Sequence, residues 1–254
     1  MADRQGIRDL LAARPNRRPL GAGDPPRRPV TLDRMVSKRP SGDHDLFRHD
    51  LEFGTGSVAG TDEAGRGCLA GPLVAAAVVF DRGTLEDRGG GRLDGLFDSK
   101  RLTEKRRERL YPAILGTARS VRVVARSARF IDSEGIQRAN LEALARSLEG
   151  SAGIRDVTRL VDGFGLGAGA PEHIRLVKGD SLSASVAAAS VVAKVTRDAL
   201  MREAALLHPG YGFEGHKGYG SAAHREAIEA LGPSPIHRLS FRLIANPDDA
   251  AKAA

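Results

Sequence analysis

The chain has 254 residues, 41% of them hydrophobic, with 39 Lys+Arg against 32 Asp+Glu and a formal net charge of +7. A single cysteine, Cys68, excludes an internal disulfide framework and fits a reducing compartment. No apolar run is long enough to span a bilayer and the N-terminus lacks the apolar segment of a secretory signal, so a cytoplasmic protein without a membrane partner is expected.

Residues 1–50 are rich in Arg, Asp and Pro and carry only short apolar clusters, which predicts a disordered or loosely ordered basic extension. Such an arm suits a polyanion, although a solvated tail has the same composition. Regular patterning starts near residue 57. The stretch 57–61 (SVAGT) predicts a short strand ending at Asp62, and 73–80 (LVAAAVVF) a second strand. Residues 83–95 are glycine-rich and suggest a loop. Residues 102–115 suit a helix with Thr103 as its N-cap. The segment 120–130 alternates like a strand, and 135–150 is an amphipathic helix stopped by Gly150. Two short strands follow, at 158–162 and 173–178. The longest helix, 183–207, is rich in alanine and so suited to close packing on a sheet. A last helix at 221–231 is ended by Gly232 and Pro233. The Val/Ala/Leu-rich, Trp-free composition and the alternation of α and β segments point to an α/β layered domain over 51–245, with 246–254 as a tail.

Four acids fall where predicted strands stop. Asp62 and Glu63 follow the first strand, Asp162 ends the 158–162 strand, and Asp180 comes just after the 173–178 strand. Strand ends are where layered α/β proteins build their sites. Carboxylates brought together there raise one another's pKa unless a cation compensates them. Mg²⁺ prefers carboxylate oxygens and retains waters. Two such ions about 4 Å apart can activate a water and stabilise the leaving oxygen of a phosphodiester. Metal-assisted phosphodiester hydrolysis is therefore one reading. Each acid also has an ordinary alternative: turn residues for Asp62 and Glu63, an Asp-Gly turn at Asp162, a helix N-cap at Asp180. The stretch 163–170 (GFGLGAGA) imitates a dinucleotide-binding fingerprint, but Pro171 and the next strand leave no room for its helix.

The segments VAGTDEAGRGCLAGPLVAAAVVF, DSKRLTEKRRERLY, LVDG, VKGDS, VVAKVTRD and YGFEGHKGYGS together resemble ribonuclease HII, the bacterial type 2 ribonuclease H, from about Val58 to about Phe241. The resemblance implies an RNase H-like fold: a mixed five-stranded sheet flanked by helices, opening with an antiparallel meander and closing with a helical C-terminal part. It implies endonucleolytic cleavage of RNA in RNA–DNA hybrids, incision 5′ of a single ribonucleotide in duplex DNA, and a requirement for Mg²⁺ or Mn²⁺. It assigns catalysis and metal binding to Asp62, Glu63, Asp162 and Asp180, and substrate reading to Gly65, Arg66 and Gly67. In that loop the glycines let the backbone approach a 2′-hydroxyl closely. Tyr219 matches the tyrosine that packs on the sugar at the RNA–DNA junction, while Lys100 and Ser181 are expected at phosphates. Phe97 and Phe164 depart from the family, which often has asparagine at both positions. A monomer is expected. The rivals are ribonuclease HIII-like activity, disfavoured by an N-terminal segment too short for a substrate-binding domain, and a non-catalytic hybrid-binding protein, disfavoured by the four acids.

Overall fold

The computed structural model describes residues 45–97 and 102–244. Residues 1–44, Lys100 and the segment 245–254 lie outside the described residues. Five strands form one sheet in the order β3-β2-β1-β4-β5: β1 Ser57–Ala64, β2 Leu73–Asp81, β3 Ser120–Arg126, β4 Val157–Asp162 and β5 Ile174–Leu176. β1, β2 and β3 are antiparallel neighbours, and β1, β4 and β5 are parallel. The mixed sheet and its opening meander are those expected.

Both faces of the sheet are covered, as the near-continuous apolar runs of β1 and β2 require. The helices among the described residues are α1 Leu46–Leu51, α2 Arg82–Asp87, α3 Glu104–Thr117, α4 Ala128–Glu134, α5 Ile136–Leu148, α6 Ala184–Leu207, α7 Phe213–His216 and α8 Ala222–Leu231. One face packs Val58, Val74, Ala76, Val78 and Phe80 against α6, with Leu46, Phe47, Leu110 and Ile114 closing the layer. The other packs Ala59, Ala75, Ala77 and Val79 against Ile131, Ala139, Ala143, Leu144 and Leu148. The alanines of α6 bring that helix close to the sheet. A Cβ on Gly60 would stand 2.2 Å from the backbone nitrogen of Val186, so β1 needs glycine where α6 crosses it. Ser183 caps α6, and the buried Asp50 of α1 accepts the Ser185 N–H at 2.8 Å.

Four local expectations shift. Asp45 caps α1, and Leu46 and Phe47 of that helix pack into the α6-side core, so residues 45–50 join the domain rather than the extension. The 83–95 loop contains α2, because Asp81 accepts the Thr84 N–H at 2.7 Å and Leu85 anchors the turn in the core. The strand drawn to residue 130 ends at Arg126, where Ser127 caps α4. β1 runs on to Ala64, so Asp62 and Glu63 lie inside the strand, opposite Ala76 and Ala75.

Candidate active site

Parallel pairing of β1, β4 and β5 brings their C-terminal ends side by side, and three of the four acids follow. Asp62 comes from β1, Asp162 is the last residue of β4, and Asp180 sits in a short 3₁₀ turn, Gly179–Ser181, just after β5. Each offers a carboxylate oxygen within 4.8 Å of the others. Asp62 is 4% exposed and Asp180 3%. Asp162 Oδ1 accepts the Gly179 N–H at 2.6 Å, which ties the β4 end to the turn bearing Asp180. Asp62 Oδ1 accepts the Glu63 N–H at 2.8 Å, and its side chain also meets Ser190 of α6. Burial, then the neighbouring Asp162 and Glu63, push the Asp62 carboxyl well above the ordinary carboxylate range. A cluster of like charges, two buried and one half-buried, with hard oxygen donors fits a divalent cation such as Mg²⁺ or Mn²⁺.

Glu63 stands outside that group of three. Its cross-strand partner Ala75 belongs to the α5 face of the sheet, whereas Asp62 pairs with Ala76 on the α6 face. Successive strand residues point to opposite faces, so Glu63 reaches the same corner from the other side. It is close enough to Asp62 to raise its pKa.

The segment after β1 makes a tight turn. The Cys68 N–H reaches the Gly65 carbonyl at 3.4 Å, placing Arg66 and Gly67 at its exposed tip. Gly65 has φ +89, and a Cβ there would lie 1.9 Å from the Arg197 Nε, so glycine is required twice over. The Arg66 guanidinium lies over the Phe164 ring, 4.7 Å from its centroid, and donates to Gln137 Oε1 at 2.9 Å. Phe164, two residues past Asp162, thus links the turn to the β4 end. Phe97, the other departure from the family pattern, packs against the α6-side core.

Tyr219 is 43% exposed, its ring backed by the Lys194 ammonium at 5.5 Å and the Arg197 guanidinium at 5.7 Å. Its hydroxyl meets the buried Cys68, and burial raises both the phenol and the thiol pKa. The Ser181 hydroxyl donates to the Lys178 carbonyl at 2.9 Å, which leaves it only acceptor capacity toward a substrate. A hollow of about 600 Å³ between α5 and the 166–171 loop is lined by Gln137, Leu141, Leu166 and Pro171 and holds none of these acids.

Two further parts of this corner carry only a weak signal in the sequence. Arg197 and Arg238 are both fully buried and bond to backbone carbonyls. His216, His224 and His237 form one network: the His216 and His224 rings stack at 4.2 Å, and Nε2 of His224 faces Nε2 of His237 at 3.1 Å. The Ser234 N–H donates to His237 Nδ1, which puts the His237 proton on Nε2, directed at His224. His224 then donates from Nδ1 to the Tyr219 carbonyl at 2.8 Å. Isolated in sequence, neither histidines nor arginines signal such burial.

A five-stranded sheet of this order, covered on both faces and gathering acids at the parallel strand ends, defines the RNase H-like class of nucleases. Among solved structures, ribonuclease H2 from Pyrococcus horikoshii superposes with a TM-score of 0.62 at 28% identity, covering 74% of this chain and 94% of that one. Residues 59–244 match the family model described as Ribonuclease HII. The ribonuclease HII of Brucella melitensis is 46% identical over 215 residues, 84% of this chain and 92% of the relative. That of Agrobacterium fabrum is 48% identical over 200 residues, 77% and 88% respectively. The chain belongs to the ribonuclease HII family, and it is a hydrolase of the type 2 ribonuclease H kind.

Proposed function

We propose that this enzyme cleaves the RNA strand of RNA–DNA hybrids and incises 5′ of a single ribonucleotide in duplex DNA, leaving 3′-hydroxyl and 5′-phosphate ends. The observation that carries the reading is the convergence of Asp62, Asp162 and Asp180 beside a turn whose tip exposes backbone amides. These three carboxylates would hold divalent cation, with Glu63 as a further donor from the opposite side of β1. A Mg²⁺ or Mn²⁺ pair bound there supplies a water activated at neutral pH and charge compensation for the leaving oxygen.

The protein's own groups select the substrate. Amides at the tip of the Gly65–Cys68 turn suit a ribose hydroxyl, which accepts hydrogen bonds whatever the base. The exposed face of Tyr219 offers a flat surface to the neighbouring sugar, and a 2′-hydroxyl on that sugar would crowd the ring, favouring DNA on the 3′ side. The pushed-up phenol keeps its proton, so the ring meets the strand uncharged. The Ser181 oxygen stands beside Asp180 and cannot donate to a phosphate without leaving Lys178. Lys100 is proposed as a phosphate contact from its place in the sequence.

The test is a duplex carrying one ribonucleotide, incubated with Mg²⁺ or Mn²⁺. Incision on its 5′ side supports the reading. Cleavage confined to long RNA stretches, or a mobility shift without cutting, would overturn it.

A further inference from the structure

Arg238 belongs to the segment 234–241, far in sequence from Asp62, Asp162 and Asp180, yet it is wholly buried under the Gly65–Cys68 turn. Its guanidinium donates from Nη2 to the Gly65 carbonyl at 2.7 Å and from Nη1 to the Arg66 carbonyl at 2.9 Å. Nε and Nη2 also reach the Gly71 carbonyl at 3.1 and 3.0 Å. The segment is held in turn: the Arg238 N–H bonds the Leu69 carbonyl at 2.8 Å, the Gly71 N–H bonds the Ile236 carbonyl at 2.9 Å, and Asp132 accepts the N–H groups of Leu239 and Ser240. Arg197 of α6 grips the next stretch, donating to Pro72 and Ala70 and, across the gap, to Lys217 beside the Tyr219 loop. Among the described residues neither guanidinium forms an ion pair.

The consequence lies in the peptide planes. None of the peptide bonds is cis among the described residues. In a trans unit the carbonyl of one residue and the N–H of the next point in opposite directions. Tying the Gly65 and Arg66 carbonyls inward therefore aims the N–H groups of Arg66 and Gly67 outward. Among the described residues neither amide has a hydrogen-bond acceptor, and both residues are exposed.

We propose that Arg238 is a positioning residue for ribose recognition: its guanidinium fixes the Gly65 and Arg66 carbonyls so that the Arg66 and Gly67 amides form a paired donor for a 2′-hydroxyl oxygen. A planar fork with five donors can hold three carbonyls in one geometry, whereas a lysine ammonium radiates its donors from a single flexible atom. The inference rests on the proposed ribonucleotide-directed activity.

Binding is measured in the cleavage-disabled Asp62→Asn full-length chain, against a duplex with one ribonucleotide and its all-DNA counterpart. The parent should prefer the ribonucleotide duplex. Adding Arg238→Lys should cut that preference about tenfold and leave all-DNA affinity unchanged, a separation that a purely structural brace would not give. An unchanged preference overturns the proposal, as does an equal loss on both duplexes. If the parent itself shows no preference, the functional reading falls instead. Should Arg238→Lys fail to fold, Arg66→Pro is compared with Arg66→Ala. Proline removes the amide donor at a turn position with φ outside the positive range, where it is well tolerated; alanine removes only the side chain. A preference about tenfold lower for proline supports the amide pair, and equal behaviour overturns it.

Discussion

The acid cluster and the turn beside it hold buried charge in opposite ways. At the ends of β1 and β4 and in the turn after β5, three carboxylates crowd one another, and Asp62 is driven toward its protonated form by burial and by Asp162. Under the Gly65–Cys68 turn, two arginines are buried just as deeply, but backbone carbonyls satisfy them. The first corner is electrostatically incomplete and asks for a cation. The second is complete and asks only to keep its shape. Acid separates them further: protonation relieves the carboxylates, whereas it breaks the histidine network behind Tyr219, whose ring nitrogens are already committed as donors and acceptors.

The largest expected effect comes from neutralising the incomplete corner. Asp62→Asn should lower cleavage by about a thousandfold or more, with binding of the hybrid retained, while leaving thermal stability without metal unchanged or raised. The folded-state pKa of Asp62 lies above its unfolded value, so its ionised form costs stability as pH rises. A marked loss of stability in that variant would give Asp62 a structural role and erase the contrast. Added cation is the next test. A divalent ion that binds only the folded state stabilises by about 2.7 kcal/mol at one hundred times its Kd. Mg²⁺ or Mn²⁺ should therefore raise the Tm of the full chain by several degrees, and far less in Asp62→Asn. Equal shifts in both would place the ion elsewhere.

A smaller effect belongs to the complete corner. Burial lowers His224 to about 4 from 6.5, and His237 is lowered as well. A histidine with a depressed folded-state pKa contributes stability that is fully present above pH 6.5 and is lost as pH falls toward 4. Denaturant unfolding across that window should show this loss, and His224→Gln should flatten it even if it is less stable at neutral pH. A slope that survives the substitution would assign the acid sensitivity to other groups.

The incomplete corner was legible in the sequence because its chemistry lies in residue types that stand out at strand ends. Asp62, Asp162 and Asp180 converge as the strand pattern suggests, and the alanines of α6 announce its close approach to β1. The orientation of Glu63 was legible too, since neighbours on a strand face opposite sides, but drawing β1 to stop at Asp62 concealed it. The complete corner was illegible for a physical reason. A charged side chain in an isolated stretch is read as solvent-facing, and the carbonyls that bury Arg238 come from residues some 170 positions away and carry no sequence signal. The caps at Asp81 and Ser127 were missed because a single hydrogen bond turned glycine-rich or alternating segments into α2 and α4.

The finest distinction between the corners falls at Phe164, which touches both. It follows Asp162 by two residues and lies under the Arg66 guanidinium, at a position where the sequence resemblance leads one to expect asparagine. An exposed cation–π contact is worth about 0.5–1 kcal/mol, so Phe164→Leu should weaken binding of the ribonucleotide duplex by about twofold to fivefold with the rate at saturating substrate unchanged. Phe164→Asn removes the ring but adds a polar group at the β4 end. If Arg66 owes its place to the ring alone, asparagine should behave like leucine. If asparagine restores or improves affinity, the ring stands in for a polar substrate contact, and Phe164 belongs to the acid corner rather than to the turn. The two substitutions, compared by KM against kcat on one duplex, decide which corner the residue serves.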